Sequence, residues 1–257
     1  MYLFWVILLN SIMNRKSHKL HFRRFEFKYR ISEELAGLIQ SSLKGHMQVD
    51  PYAHLCEFNR YEVCSLYFDS PSLNYYQEKE EGLKNRKKIR FRFYRGVTTW
   101  NAIFLEIKRK KNLCIVKDRL IVRQKDAEAF LENENFTDIL KWCNKKDPLL
   151  AEEFEREYVL NGLQPTSTII YDREPWISSD YEHCRVTFDR NIRVRTPEDF
   201  FGKEERMESF LLSSDELVME IKFNETLPYF FKDIIQKYNL RYEPYSKYCN
   251  SIRKMIA

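Results

Sequence analysis

Glycine is scarce in this chain, at 6 of 257 residues. That disfavours a Gly-rich phosphate loop and favours packed strands and helices. The six cysteines, at 56, 64, 114, 143, 184 and 249, include no CxxC pair and no His/Cys cluster with zinc spacing. A structural zinc site of the usual kind is therefore excluded. Cys64 and Cys114 fall in strand-like runs and are expected to be reduced, buried small hydrophobes, in a reducing cytosol. No repeat, low-complexity tract or Pro/Gly linker divides the chain, so one domain is expected from about residue 20 to residue 257.

The N-terminal apolar run, "MYLFWVILL", is about half the ~20 residues that span a bilayer. It has no basic leader and no small-x-small cleavage site, which argues against a secretory signal. Residues 1–19 are expected to be an extension, either a short membrane-interface anchor or translation upstream of a start at Met13. The second is preferred, because the soluble pattern begins only after His18.

What is present is charge, aromatics and alternation. The chain is 44% hydrophobic, 32% charged and 15% aromatic, a globular composition, with net charge +5 and pI about 8.7. So mild a basicity points to an anionic partner only if the charge is focused. Strands are expected at 23–32, 60–70, 88–95, 102–110, 115–123, 167–174, 184–194 and 216–223. Helices are expected after Ser32, across 126–160 in pieces broken near Pro148, and over 228–238, whose Phe230, Phe231, Ile234 and Ile235 read as core. Residues 85–88, "NRKK", read either as a basic rim at the mouth of a tunnel or as a merely solvated basic turn. No regular βαβ alternation appears, so the fold class is α+β, mainly antiparallel β, as a sheet or barrel.

In a strand, parity is face. In "KKIRFRFYRG", Lys88, Arg90, Arg92 and Tyr94 share one parity, and Ile89, Phe91 and Phe93 the other. The same division puts Glu26, Lys28 and Arg30 opposite Phe27 and Tyr29. It puts Glu106 and Lys108 opposite Leu105 and Ile107, and Arg185, Thr187 and Asp189 opposite Val186 and Phe188. It aligns Lys117 with Arg119, and Glu220 with Lys222. An ordinary amphipathic sheet with its charges in water explains any single strand. The collective bias to Arg and Lys suggests another arrangement, a barrel with the charged face inward and the apolar face under outer helices. Cations buried dry and unpaired would cost several kcal/mol each. A water-filled tunnel holding a polyanion and a divalent metal removes that objection, because Lys and Arg then meet phosphate oxygens.

The ordered set "RFEFKYRIS", "SLYFDSPSLNYYQEKEEGLKNRKKIRFRFY", "FLEIKRK", "VKDRL", "YDREPW" and "VMEIKF…PYSKY" resembles the VTC domain, the polyphosphate polymerase domain of the vacuolar transporter chaperone complex. That family belongs to the triphosphate tunnel metalloenzymes, alongside CYTH-type triphosphatases. The resemblance implies an eight-stranded antiparallel tunnel with surrounding helices. It also implies transfer of the γ-phosphate of ATP to a growing polyphosphate chain, with Mn²⁺ or Mg²⁺. By motif, Lys28 is the tunnel lysine of the first strand, Arg90 and Arg92 the R-x-R pair, and Lys108 the lysine of the E-x-K strand. Lys117 matches "VKxR", Tyr171 and Arg173 the Y-x-R strand, and Ser246 and Lys247 the C-terminal S-K. Glu220 falls on the metal-binding glutamate, helped by Glu26 or Glu106. Arg119, Arg185 and Lys222 join the phosphate-binding set through their parity. Arg90, Arg92, Lys108, Arg173 and Lys247 are the expected catalytic residues.

One departure matters. CYTH triphosphatases open with E-x-E-x-K, and here Arg24 stands at the first position, which argues against plain hydrolysis. The competing readings are a metal-dependent triphosphatase, a polyphosphate-binding module without turnover, and a nucleic-acid-binding sheet. The last is disfavoured because the aromatics are expected to oppose the basic face. His18, His21, His46, His54 and His183 are expected to be loop or surface residues. The expected partners are ATP and polyphosphate, with no nucleic acid; a separate membrane partner is left open. The expected location is the cytoplasm, free or at the inner face of a membrane.

Overall fold

The computed structural model describes residues 24–96, 102–112, 114–133, 139, 147–178, 180–181, 184–202 and 208–256. The extension at 1–19, His18, His21, His183 and Cys143 lie outside the described residues, as does the side chain of Cys114. The chain runs β1 (Arg24–Ser32), α1 (Glu33–Leu43), β2 (Met47–Val49), α2 (Pro51–His54), β3 (Tyr61–Asp69), α3 (Asn74–Glu80), β4 (Asn85–Arg95), β5 (Ile103–Lys111) and β6 (Cys114–Val122). It continues with α4 (Gln124–Asn133), α5 (Pro148–Asn161), β7 (Gln164–Ser178), β8 (Arg185–Arg195), β9 (Ser209–Phe210), β10 (Glu216–Asn224), α6 (Tyr229–Lys237) and α7 (Lys247–Ile256).

Local chemistry sets several boundaries. The Ser32 hydroxyl accepts the N–H of Leu35 at 3.2 Å and caps α1. Asp147 caps α5, Pro148 occupies its first turn, and Gly162 ends it in the left-handed region at φ 57°. Asp69 ends β3 and accepts the N–H groups of Ser70, Tyr75 and Tyr76. One carboxylate thus closes the turn and caps α3. The basic stretch 85–88 is not a turn. Its alternation continues that of residues 89–95, and it pairs with β5 from Asn85 onward.

All ten strands form one antiparallel sheet, ordered β1-β10-β8-β7-β3-β4-β5-β6, with β2 beside β7 and β9 beside β8. The eight strands of the continuous path match the expected number, but among the described residues the barrel is not closed by backbone hydrogen bonds. Its two edges are β1 and β6. The C-terminal segment helps to explain why. The N–H of Glu243 donates to the carbonyl of Lys28 at 2.9 Å, so part of the β1 edge is already taken.

The apolar parity faces outward, under helices. Ile89, Phe91, Leu105 and Ile107 pack with Phe130 of α4 and Phe154 of α5. Phe188, Met219 and Ile221 pack with Ile39 of α1 and Phe231 and Ile234 of α6, and Phe27 lies against this cluster. Each such side chain contributes about 1.5–3 kcal/mol when fully buried. A third cluster is on the concave side, where Tyr248 and Ile252 of α7 meet Tyr67, Ile169 and Tyr171. Cys64, Cys184 and Cys249 are buried free thiols. No helix among the described residues is long and apolar enough to cross a membrane.

Candidate functional site

The concave face holds a cavity of about 260 Å³. Lys28, Arg90, Arg92, Lys108, Arg173, Lys222 and Lys247 line it, with Lys79, Arg86, Lys87, Lys88 and Lys110 toward one end. Twelve cations stand against two carboxylates, Glu26 and Glu220. Tyr67, Tyr171 and Ser246 complete this part of the wall. Register explains the convergence. Lys28 pairs with Glu220 and Glu26 with Lys222 across β1 and β10, while Arg90 pairs with Tyr67 across β4 and β3.

The carboxylates divide into distinct environments. Glu106 is 1% exposed. It accepts from Arg90 at 2.5 and 2.8 Å and from Arg119 at 2.7 Å, with Lys117 at 3.3 Å and Arg92 at 3.9 Å. Burial alone would raise its pKa, but these cations, led by Arg90, hold it far below the usual carboxylate range. Glu106 is thus a counter-ion beneath the arginines. Lys117 and Arg119 reach it from β6, and neither lines the cavity. Arg185 also lies off the cavity, bound to Asp50 at 2.8 Å.

Glu26 and Glu220 face the cavity together. Glu26 meets Lys28 at 3.1 Å and Lys108 at 3.0 Å, and Glu220 meets Lys222 at 3.0 Å. Burial opposes ionisation of Glu26, but Lys28, Lys108 and Lys222 outweigh it and keep the carboxyl well below its ordinary pKa. Thr187, the cross-strand partner of Glu220, has a buried hydroxyl with no hydrogen-bond partner among the described residues. Two neighbouring carboxylates beside an orphaned hydroxyl suit a hard divalent cation, which takes oxygen ligands and keeps water or substrate phosphate for the rest. Among the described residues no group of three or more His, Cys, Asp or Glu converges to hold a metal by itself. The donor set therefore suits an oxygen-seeking divalent cation that completes its shell with ligands from outside the protein.

Asp189 was not singled out by its sequence, although it shares parity with Arg185 and Thr187. It is fully buried and binds Arg173 through two bonds of 2.7 Å and Lys247 at 2.6 Å. Burial would raise its pKa, but Arg173 and Lys247 outweigh burial and hold the carboxyl well below the usual carboxylate range, so it is a fixed anion. Lys88 has the opposite problem. Its amine donates to Ser246 at 2.8 Å, and burial with Lys28 and Lys108 nearby lowers its pKa to about 8. Tyr67 accepts from Arg90 at 2.8 Å. Burial pushes its phenol up, but Arg90, Arg92 and Lys88 prevail and bring it down to about 7. Tyr94 is likewise brought down to about 7 by Arg92 and Arg119, against burial. His54 is exposed and His46 stacks on Phe230 with centroids 4.6 Å apart, so neither is in the cavity.

A curved antiparallel sheet with a cation-lined concave face and apolar outer helices defines a tunnel-type phosphate-binding fold. The match to known families agrees. The VTC domain family model matches residues 23–256, and the chain belongs to that family. No curated protein sequence matches it significantly. Among solved structures, a candidate adenylate cyclase from Bacillus halodurans superposes with TM-score 0.54 at 14% identity, covering 91% of this chain and 100% of that one. A candidate adenylyl cyclase from Hippeastrum, described as having a dominant triphosphatase activity, superposes with TM-score 0.52 at 12% identity, covering 89% and 95%. At these identities the likeness is one of fold.

Proposed function

We propose that this protein is a metal-dependent polyphosphate polymerase that transfers the γ-phosphate of ATP to the end of a polyphosphate chain inside the cavity. The observation that carries the reading is the excess of cations, twelve against two carboxylates in one cavity. Glu106, Asp189 and Glu157 pair with Arg90, Arg173, Lys247 and Lys87 from behind the wall, yet cations still outnumber carboxylates. Such a wall suits a polyanion, and family membership supports that polyanion being polyphosphate.

Phosphoryl transfer requires in-line positioning and charge stabilisation more than covalent help from protein. Arg90, Arg92 and Arg173 clamp phosphate oxygens through paired N–H donors, and Lys28, Lys108, Lys222 and Lys247 act as point charges. A terminal chain oxygen attacks the γ-phosphorus. The bond to the β–γ bridging oxygen breaks, and ADP leaves with the electron pair. The attacking oxygen is already ionised, so no general base is needed. A divalent ion held by Glu220 and Glu26 would neutralise charge on the transferring phosphates. Lys117 and Arg119 act indirectly by holding Glu106 beneath Arg90.

Purified protein with ATP and Mn²⁺ tests this. Long-chain polyphosphate made in step with ADP is the expected result. Release of free phosphate alone would identify a triphosphatase. Tight triphosphate binding without turnover would identify a binding module.

A further inference from the structure

Lysines on the cavity wall are held in different ways. Lys28 and Lys108 pair with Glu26, Lys222 with Glu220, and Lys247 with Asp189. Lys88 lines the same cavity but has no carboxylate within ion-pair distance among the described residues. Its amine donates to the neutral Ser246 hydroxyl at 2.8 Å and lies 5.6 Å from the centre of the Tyr248 ring. Facing it are Lys28 from β1, Tyr67 from β3, Lys108 from β5 and Cys249 from α7. The Tyr67 oxygen is already engaged by Arg90. Lys88 is thus an enclosed amine ringed by cations and polar groups, without a carboxylate to hold its proton.

A lysine becomes a nucleophile when desolvation or neighbouring cations release that proton. Both act on Lys88. Its pKa of about 8 leaves roughly one amine in ten neutral at pH 7, against about one in several thousand for an ordinary lysine. The wall beside it is built for a small dianion. Arg90 stands two residues along the same face, about 7 Å away, and Lys108 is the cross-strand partner of Lys88, with Cβ atoms about 5 Å apart. A phosphate group seated on these two cations carries whatever it is bonded to against the Lys88 amine.

We propose that Lys88 is an acylation site for acyl phosphates, which seat their phosphate group on Arg90 and Lys108, and that its acylation weakens the cavity's hold on polyanions. The proposal rests on the reading of the cavity as a phosphate site and adds a control on it. The neutral amine attacks the acyl carbon. The bond from that carbon to the bridging oxygen breaks, and inorganic phosphate leaves with the electron pair and takes up the amine proton. The amide formed carries no charge and no longer serves as a cation on the wall. Bound polyphosphate covers the same cations, so an occupied cavity is protected and an empty one is open to modification.

Acetyl phosphate is the probe, with peptide mass spectrometry as the readout and no nucleotide present. Lys88 is expected to gain the acetyl group at least about tenfold faster than the exposed Lys44 and Lys254, and tripolyphosphate should suppress the reaction at Lys88 but not at those two. The N-hydroxysuccinimide ester of acetic acid, which carries no phosphate, should show a smaller preference. Treated wild type should bind tripolyphosphate about tenfold more weakly than untreated. Lys88→Arg keeps the charge but offers no amine to acylate, so treatment should leave its affinity where it was. Labelling of Lys88 no faster than the exposed lysines, an equal preference with both reagents, or an equal loss of affinity in Lys88→Arg overturns the proposal. Should Lys88→Arg not fold, the labelling ratios in wild type decide alone. The two readings also fail separately. Protected acylation of Lys88 in a protein that makes no polymer overturns the polymerase. Polymer made by a protein whose Lys88 stays unmodified overturns the acylation site.

Discussion

Lys108 on β5 and Glu26 on β1 meet across the open seam of the sheet, amine to carboxylate at 3.0 Å. Among the described residues no backbone hydrogen bonds join the edge strands β1 and β6, and this side-chain pair ties β1 to β5, the strand beside the other edge. Lys108 is one-third exposed, so the pair is worth only about 0.2–1 kcal/mol of stability. Lys108→Met is expected to leave the denaturation midpoint almost unchanged and to weaken tripolyphosphate binding by about tenfold, the loss of one charged hydrogen bond. Titration calorimetry beside a urea melt separates the two effects. A large loss of stability with intact binding would assign Lys108 to the seam alone.

Glu220→Gln keeps the side-chain shape and removes a charge beside Lys222 and Arg173. Mn²⁺ binding, followed by the electron paramagnetic resonance of the free ion, should weaken at least tenfold. Metal-free tripolyphosphate should bind as well as before or better, because one negative neighbour has gone. Unchanged Mn²⁺ affinity would place the metal elsewhere.

Asp189→Asn leaves Arg173 and Lys247 buried without their shared anion. Breaking such a pair costs about 3–5 kcal/mol, read as a lower denaturation midpoint. Tripolyphosphate can replace the missing charge, so its stabilising shift should be larger in the variant than in wild type. Equal shifts would mean that bound phosphate does not reach Arg173.

Arg92 illustrates a limit of strand parity. Alternation alone suggests that its charge serves only a ligand, so that Arg92→Ala would spare the empty protein. Instead the guanidinium is buried and donates to the Ser65 hydroxyl at 2.9 Å and the Tyr171 hydroxyl at 3.2 Å. Arg92→Ala is therefore expected to destabilise the empty protein by about 1–3 kcal/mol and to reduce the thermal shift given by tripolyphosphate. Thermal melts with and without ligand read both effects.

Tyr67 makes the cavity sensitive to pH. Its pKa in the folded protein, about 7, lies below the ordinary value of 10. Its contribution to stability is complete above the unfolded value and is lost as pH falls through about 7. The empty protein should gain stability between pH 7 and 10, and Tyr67→Phe should gain less. Bound phosphate opposes the phenolate, so ligand affinity should fall as pH rises above 7, by up to tenfold per unit for one linked proton. Comparing wild type with Tyr67→Phe from pH 7 to 9 removes the titration of the phosphate itself. Parallel profiles would show that the phenol does not titrate in this range.

The sequence by itself determined which side chains take the concave face and which take the helix-covered face, because a strand alternates its side chains every residue and that geometry is local. Lys28, Arg90, Lys108 and Glu220 on one side, with Phe91 and Ile107 on the other, could be read without knowing any strand's partner. Its ordered motifs also carried the family. Only the tertiary structure decided how each charge is compensated. Glu106 looks like a metal ligand from its E-x-K spacing, yet Arg119 and Arg90, 13 and 16 residues away, enclose it. Asp189 gains its role from Lys247, 58 residues later, through a helix that returns to the concave face. Glu243, far along the chain, occupies part of the β1 edge at Lys28, and four strands bring Tyr61, Tyr94, Phe104 and Arg119 together. Such pairings form between residues that the chain separates, and strand alternation carries no record of which distant residue will arrive.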